Sequence, residues 1–561
     1  MNRKTHRNDE GVALLVAIIF VTVAGMILGA LAMRVVQQGQ QTTQYKIFGD
    51  SFPVMEAGVA AAWADLENGG SGNIGLGTWA QVTTDEILDL PTFDDTGVSP
   101  LTMTTMPSIQ YIAFTNAWET DGIDNDNNGT VDDVGETDMF TIYGFADNQG
   151  VRRGLEVVMG GSDVNVWRNA IFAGSGQAGG LINGNVAIHG SVHLLGDNTV
   201  SNTTVLAAVD LSGTALIHNN YVGMPASLSG RIPALTPKNV NGEMVETLSA
   251  KLRVKRGLVG MSGNSEIGEP DVTGNTIKET MDGTFVTDGW TGTSVTDDGG
   301  RGDPTNVFSD NGWDKTYDLG NRVHLPVFSD PYVEVGTGNT YTDPDTGSLY
   351  TYESYWTKVL ASTAYNGDMT IKANQNFYWN AQRPTDTYAM AGNRLSGEDY
   401  ILFDAATNKM EISGQVKING NFAIERGSGN DKTINYTGRA AILVNGDATL
   451  DTNLYSVNSD GTTANSFPVN NIFGIMTTGS LTMGVNSQLE LMGAFYASQQ
   501  IKSTKQTIVT GTYVSNYFDM GTNVPEIYQV PTLADNLPLG MIGAGQVLVY
   551  EQISWREIAA A

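Results

Sequence analysis

The residues best suited to chemistry in this 561-residue sequence form an acidic segment between Asp121 and Glu136. It contains six carboxylates, interleaved with asparagine and glycine. Carboxylates this close repel one another unless a cation neutralises them, and oxygen-rich ligand sets are what Ca²⁺ prefers. We therefore predict a calcium site in this segment. Its expected ligands are Asp124, Asp126, Asn128, Thr130, Asp132 and Glu136, with Asp121 and Asp133 as further candidates.

The spacing of the segment matches the front of a calcium-binding loop. Counted from Asp124, oxygen-bearing side chains stand at positions 1, 3 and 5, and Gly129 stands at position 6, where such loops turn sharply. Position 12 is Gly135 instead of a bidentate glutamate, and the flanking residues are not helical in pattern. The sequence thus favours a calcium loop outside an EF-hand pair. An acidic turn between two strands is the alternative.

No pattern in the sequence is typical of a catalytic site. His189 and His193 are four residues apart, but no third metal ligand accompanies them. The chain lacks a nucleophile elbow, a phosphate-binding loop and a dinucleotide fingerprint. A solenoid enzyme acting on polysaccharides would need paired carboxylates along a groove, whereas the acidic residues here stand mainly in turns. We therefore expect no enzymatic activity, and calcium is the only cofactor that the sequence suggests.

The acidic segment interrupts a predicted β module over residues 77–163. Residues 109–114 read as one strand, and residues 139–146 and 151–159 read as two strands joined by the turn sequence Asp-Asn-Gln-Gly. These strands predict a small antiparallel sheet. The acidic segment would then connect two of its strands.

An apolar run at the start of the chain predicts a membrane anchor. Residues 12–33 carry no charge and are long enough to cross a bilayer as one helix. The basic residues Arg3, Lys4 and Arg7 precede the run, which predicts a cytoplasmic leader over residues 1–11 and an exported remainder. A secretory signal peptide is the competing interpretation, but no small-x-small cleavage site follows the run. We expect a single-pass protein of the inner membrane whose head enters the periplasm and is then displayed at the cell surface.

The helix is expected to continue beyond this run as an amphipathic spine over residues 34–67. Apolar residues recur there at steps of three and four, which places them on one helix face. The members of this stripe are Tyr45, Phe48, Phe52, Met55, Val59, Trp63 and Leu66. A glycine-rich segment after residue 67 ends the helical pattern. This spine is what a small sheet would pack against.

The first 70 residues resemble the N-terminus of type IV pilus assembly proteins of the PilX-like minor pilin family. A basic leader ending in Gly11, the apolar helix and the segment Met-Glu-Ala-Gly-Val-Ala at 55–60 carry this resemblance. It implies cleavage by prepilin peptidase between Gly11 and Val12, a minor pilin role in pilus assembly, and other pilins and the inner-membrane assembly machinery as partners. Major pilins have glutamate at the fifth mature position, where this chain has Val16. The resemblance therefore implies a position at the filament tip.

The rest of the chain predicts a mainly β, solenoid-like (β-helix) region over residues 165–228 and 356–520. The unit [Ile/Val]-Asn-Gly-[Asn/Asp]-x-x-[Ile/Leu] begins at Ile182, Ile418 and Val444. Asn-Gly suits tight corners, and short alternating strands can bury their apolar faces by stacking. We expect a loop-rich insertion over residues 229–355 and a C-terminal tail over residues 521–561. The fold class expected is thus an α+β pilin-like part followed by a β-solenoid, with a β-sandwich as the alternative to the solenoid.

Composition narrows the functions that are open to the exported part. The formal net charge is −30, which disfavours nucleic acid and anionic lipid headgroups as partners. The chain has no cysteine, so disulfide bonds cannot stabilise it. We expect a minor pilin-like subunit of a type IV pilus or related secretion filament. The alternatives are an adhesin that binds glycans or surfaces and, less favoured, a carbohydrate-active enzyme.

Overall fold

The computed structural model describes most of the chain, which divides into two compact units. One unit comprises residues 1–162 and 548–561, and the other comprises residues 163–547. The described residues are 9–67, 70–79, 83–84, 87–88, 90–118, 139–177, 182–184, 186–196, 207–240, 243–292, 305–359, 363–427, 433–486, 488–520, 525–545 and 547–558. The larger unit is therefore an insertion, in sequence, before the last strand of the smaller unit.

The smaller unit contains one long helix, α1 (Asp9–Glu67), and, among its described residues, seven strands. Alanine is the most frequent residue of the helix, and it loses no side-chain freedom there. The strands, numbered in chain order through both units, are β1 (Thr83–Thr84), β2 (Ile87–Leu88), β3 (Leu101–Met103), β4 (Met106–Ala117), β5 (Met139–Asn148), β6 (Val151–Asp163) and β34 (Leu548–Ile558).

Five of these strands form one sheet in the order β3-β4-β5-β6-β34. The predicted hairpin between β5 and β6 is confirmed, since Asn148 pairs with Val151 and the ladder continues to Met139 and Gly160. Its turn residues Gln149 and Gly150 both have positive φ, 57° and 82°. That is the primed turn geometry that matches the twist of antiparallel strands.

The second half of α1 packs on this sheet. Met55 and Ala62 are fully buried, and they share a hydrophobic cluster with sheet residues such as Ile142 and Val157. Gly144 on β5 permits this close approach, because a Cβ atom there would stand 2.7 Å from Cγ2 of Val59 and 2.9 Å from the carbonyl oxygen of Met55. The apolar stripe expected on this part of the helix therefore packs against the sheet.

The larger unit contains most of the strands. They are β7 (Ile171–Gln177), β8 (Ile182–Gly184), β9 (Ala187–His189), β10 (Val192–Leu194), β11 (Ala207–Gly213), β12 (Leu216–His218), β13 (Lys238–Val240), β14 (Glu243–Val245), β15 (Lys251–Val254), β16 (Leu258–Met261), β17 (Glu266–Ile267), β18 (Gly283–Val286), β19 (Trp290–Thr291), β20 (Tyr365–Asn366), β21 (Met369–Lys372), β22 (Phe377–Asn380), β23 (Tyr400–Asp404), β24 (Lys409–Asn419), β25 (Phe422–Glu425), β26 (Thr433–Val444), β27 (Ala448–Leu450), β28 (Asn453–Ser456), β29 (Ile472–Thr477), β30 (Leu481–Met483), β31 (Leu489–Ser503), β32 (Thr507–Asp519) and β33 (Glu526–Tyr528). Two short α-helices, α2 (Ala226–Ser229) and α3 (Tyr352–Ser354), accompany them.

Most pairings in the larger unit are parallel and link strands distant in sequence. One run passes from β24 to β26, β29, β31, β32, β7, β10, β15 and β18. Apolar side chains such as Ile442, Ile475 and Val514 are fully buried along it. Each strand thus buries its apolar residues against the strands above and below it.

The repeated Asn-Gly unit has a clear structural role in this stack. Asn419 donates its side-chain amide to Oδ1 of Asn366 at 2.9 Å, and Asn445 donates to Oδ1 of Asn419 at 3.0 Å. The units starting at residues 418 and 444 therefore lie in register, one above the other. A further unit at Tyr365-Asn-Gly-Asp escaped the sequence pattern because tyrosine replaces its first aliphatic residue.

The fold class expected from the sequence is wrong. The chain is mainly β, with 43% strand against 15% helix. The small sheet is not part of a separate N-terminal α+β region, because β34 comes from the last residues of the chain, where a tail was expected. The β-sandwich alternative fails as well, since sandwiches consist of antiparallel sheets. Among the residues described, no helix is both long and apolar enough to span a membrane.

Candidate functional site

The first half of α1 exposes a series of large apolar side chains. Their exposed fractions range from 53% at Leu31 to 73% at Val21. The series comprises Val21, Met26, Leu28, Leu31, Met33, Val35 and Val36. We call residues 21–36 the arm. Contiguous apolar surface of this kind marks an interaction site, because folded chains seldom leave it in water.

The arm has only one charged residue. Arg34 is exposed, and it is the only charged residue in the sequence between Val12 and Tyr45. No ion pair found in the described part of the chain involves it. Burying the arm would therefore leave a single guanidinium to be matched by a partner, since an unpaired buried charge is costly.

A groove lies beside the packed half of α1. Its walls come from α1, β6 and β34, and its volume is about 230 Å³. The lining residues are Phe52, Glu56, Val59, Ala60, Trp63, Leu155, Val157, Gln552 and Trp555. Trp555 is 55% exposed and meets the ring of Phe52 edge to face, with centroids 6.1 Å apart.

The chemistry of this groove favours a cation. Aromatic rings attract cations through their faces, and Arg guanidinium groups also stack on them. Glu56 is exposed and is the only carboxylate in the lining. A guanidinium or ammonium group in the groove could contact an aromatic ring and a carboxylate together.

The sequence revealed only part of this arrangement. It placed Phe52 and Trp63 on one stripe of α1, and the structure confirms that both pack against the core. Trp555 was missed, because it lies 503 positions after Phe52 in the sequence, in a segment expected to be a tail. The alternation of Ile553 and Trp555, both more than half exposed, is the only sequence signal for this strand.

The predicted calcium ligands fall outside the described residues. All eight lie between Trp118 and Met139, the residues that end and begin the described strands on either side. Within the described ranges, no three His, Cys, Asp or Glu side chains gather as metal ligands would. The processing residues Gly11 and Val12 lie within α1.

Calcium binding therefore stays a prediction with a direct test. Replacing Asp124 and Asp126 together with alanine removes two hard oxygen ligands. We expect the wild-type melting temperature to rise when calcium replaces a chelator, because a ligand that binds the native state stabilises it by mass action, and we expect the double variant to show no rise. Equal wild-type melting temperatures with calcium and with chelator would contradict the prediction.

The histidines of the larger unit form a buried stack. His189 lies between the rings of His218 and Tyr528, with centroid distances of 4.5 and 4.2 Å. Its Nδ1 donates to the carbonyl oxygen of Asn220 at 2.7 Å. Burial, and secondarily the nearby His218, lowers the pKa of His189 to about 3. His193 is also buried and contacts the hydroxyl of Tyr317, so the two histidines do not form a common ligand pair.

The stack predicts loss of stability in acid. The unfolded chain takes up a proton at His189 below the ordinary pKa of 6.5, whereas the native state resists it until about pH 3. This contribution is therefore complete above pH 6.5 and is lost on acidification, by about 1.4 kcal/mol per pH unit. His189→Phe should reduce the dependence of the unfolding free energy on pH between about pH 6 and pH 4. The measurement is denaturant unfolding of both proteins at several pH values in this range.

Comparison with known proteins gives little further information. No family model matches the chain, and no curated protein matches it. Among solved structures, the chain is similar to the competence-associated pilin ComZ from Thermus thermophilus, with a TM-score of 0.44 and 16% identity. The match covers 91% of this chain and 97% of that one. Because both the identity and the TM-score are low, we draw nothing further from this likeness.

Proposed function

We propose that this protein is a pilin-like subunit of a type IV pilus or related secretion filament. The observation that carries the proposal is that the two halves of α1 differ in burial. Its second half is buried against a sheet of the same chain, while the arm exposes apolar side chains without a partner in the described structure. A helix of this kind is suited to join neighbouring subunits through the arm and to hold a folded head at its other end.

The energetics of the arm support assembly. Fully burying one Leu, Val or Met side chain contributes about 1.5–3 kcal/mol. Seven exposed side chains of this kind give a neighbouring helix a large driving force, before the entropic cost of association is subtracted. The neighbours that we propose are other pilins, in a filament that displays the acidic larger unit at the cell surface.

Within this proposal, the protein is a PilX-like minor pilin that prepilin peptidase cleaves after Gly11. Gly11→Leu should leave an uncut precursor that does not enter filaments, because the peptidase would meet a bulky residue at the scissile bond. Mass spectrometry of the N-terminus decides this. A filament-associated protein that still begins at Met1 would contradict the processing proposal.

We further propose that the subunit stands at the filament tip. In pilins, a glutamate at the position of Val16 can neutralise the amino terminus of a neighbouring subunit in the apolar filament core. A subunit without this carboxylate is tolerated best where one side of its helix has no neighbour. Few copies per filament are therefore expected.

Deleting the gene tests the proposal. Loss or shortening of surface filaments, restored by the wild-type gene on a plasmid, is the expected result. Normal filaments in the deletion strain, combined with loss of binding to glycans or surfaces, would instead support the adhesin. Turnover of a polysaccharide by the purified protein would support an enzyme.

A further inference from the structure

We propose that the aromatic groove of one subunit, formed by Phe52, Glu56, Trp63 and Trp555, binds Arg34 from the arm of a second copy. The inference rests on the proposed function, because it requires copies side by side in a filament. It names a specific contact between the few copies expected at the tip, which must then be neighbours of one another.

The two charges complement each other. The arm presents one guanidinium in an otherwise uncharged stretch, and the groove presents one carboxylate among apolar and aromatic side chains. Neither Arg34 nor Glu56 forms an ion pair within the described residues, whereas Arg253 and Arg383 each pair with a carboxylate. The guanidinium of Arg34 therefore lacks a carboxylate partner in the single chain, and the carboxylate of Glu56 lacks a cation.

The geometry of α1 excludes the contact within one chain. Arg34 and Glu56 are 22 positions apart on the same helix, which separates them by about 33 Å at 1.5 Å per residue. A second copy whose helix runs alongside, shifted by this distance, brings its Arg34 to the level of the groove. The same shift lays the exposed arm of one copy beside the packed half of the other.

The aromatic rings give the contact its specificity. The guanidinium of Arg34 would stack on Trp555 or Trp63 while Glu56 accepts its N–H groups. Lysine would keep the charge but lose both the stacking and the paired hydrogen bonds, since an ammonium is a compact point charge. Arg34→Lys should thus impair the contact, and a purely Coulombic attraction would not distinguish the two residues.

Cysteine cross-linking tests the contact directly, because the native chain contains no cysteine. Cells should produce two forms of the full-length protein together, one with Arg34→Cys and the other with Glu56→Cys. Treatment of intact filaments with a short bis-maleimide, which bridges thiols that are too far apart for a disulfide, is expected to give a cross-linked dimer. The pair Lys46→Cys and Glu56→Cys, with Lys46 exposed on the same helix, is the matched control and should give none.

Charge reversal provides the second arm of the test. Arg34→Glu and Glu56→Arg should each lower the amount of protein in filaments by about tenfold, as unpaired interfacial charges do. The double variant should restore it to near the wild-type amount. Lys46→Glu is the control for a change of net charge and should have no effect.

The outcomes separate this inference from the proposed function. If the wild-type protein enters filaments but the two cysteine forms give no 34–56 cross-link, or the double charge reversal gives no rescue, the inference is overturned and the pilin-like function stays intact. Absence of the wild-type protein from filaments would overturn both. A cross-link that forms equally with the control pair would show nonspecific proximity and would also overturn it.

Discussion

Replacing Leu31 with aspartate is expected to abolish incorporation of the protein into filaments. Leu31 is 53% exposed in the single chain, so its replacement disturbs no internal packing. In a filament, the same position would be buried among apolar helices, where an unpaired carboxylate costs several kcal/mol. The amount of protein in filaments should therefore fall by at least about a hundredfold. The measurement is the amount of protein in sheared filaments relative to whole cells, by immunoblot.

The control for this variant is Gln38→Asp. Gln38 is also exposed, lies two turns further along α1 and is outside the arm. The Gln38→Asp substitution introduces the same charge, and it should reduce incorporation of the protein into filaments only slightly. The melting temperature of both variants should equal that of the wild type. Normal incorporation of the Leu31 variant would show that the arm is not buried in the filament.

Replacing Met55 with alanine is expected to destabilise the smaller unit by about 2–5 kcal/mol. Met55 is fully buried where α1 packs on the sheet, so truncation removes apolar contacts and leaves a cavity. The loss is expected in the unfolding transition of this unit, measured by denaturant melts. Because the arm would then project from a poorly held helix, filament incorporation should fall as well.

Met33→Ala is a matched control for stability. It makes the same chemical change on the same helix, but Met33 is 71% exposed. Its unfolding free energy should lie within about 0.5 kcal/mol of the wild type. Equal destabilisation by the two variants would contradict the helix-on-sheet packing described above.

Local sequence signals predicted several elements correctly. The strand expected over residues 109–114 lies within β4, and the hairpin of β5 and β6 follows from alternation and a turn sequence with residues that tolerate positive φ. Met55 and Val59 were expected on the buried face of α1, and both are buried. Such features depend on neighbours a few residues away, which is why a single sequence reveals them.

Features that depend on distant residues escaped prediction. The sheet of the smaller unit is completed by β34, which follows the whole larger unit in the sequence. No local pattern indicates which sheet a terminal strand joins. The groove was missed for the same reason, since Trp555 reaches Phe52 from the other end of the chain. The histidine stack likewise depends on the register that places His189 beside His218 and Tyr528.

Immunogold labelling of isolated filaments is the most direct test of whether this protein is a filament subunit. Antibodies should be raised against the larger unit, which contains most of the residues of the chain. Gold particles are expected on filaments from wild-type cells, concentrated at one end, and none are expected on filaments from the deletion strain. Gold confined to cell bodies, with every filament unlabelled, would contradict the proposal that the protein is a filament subunit.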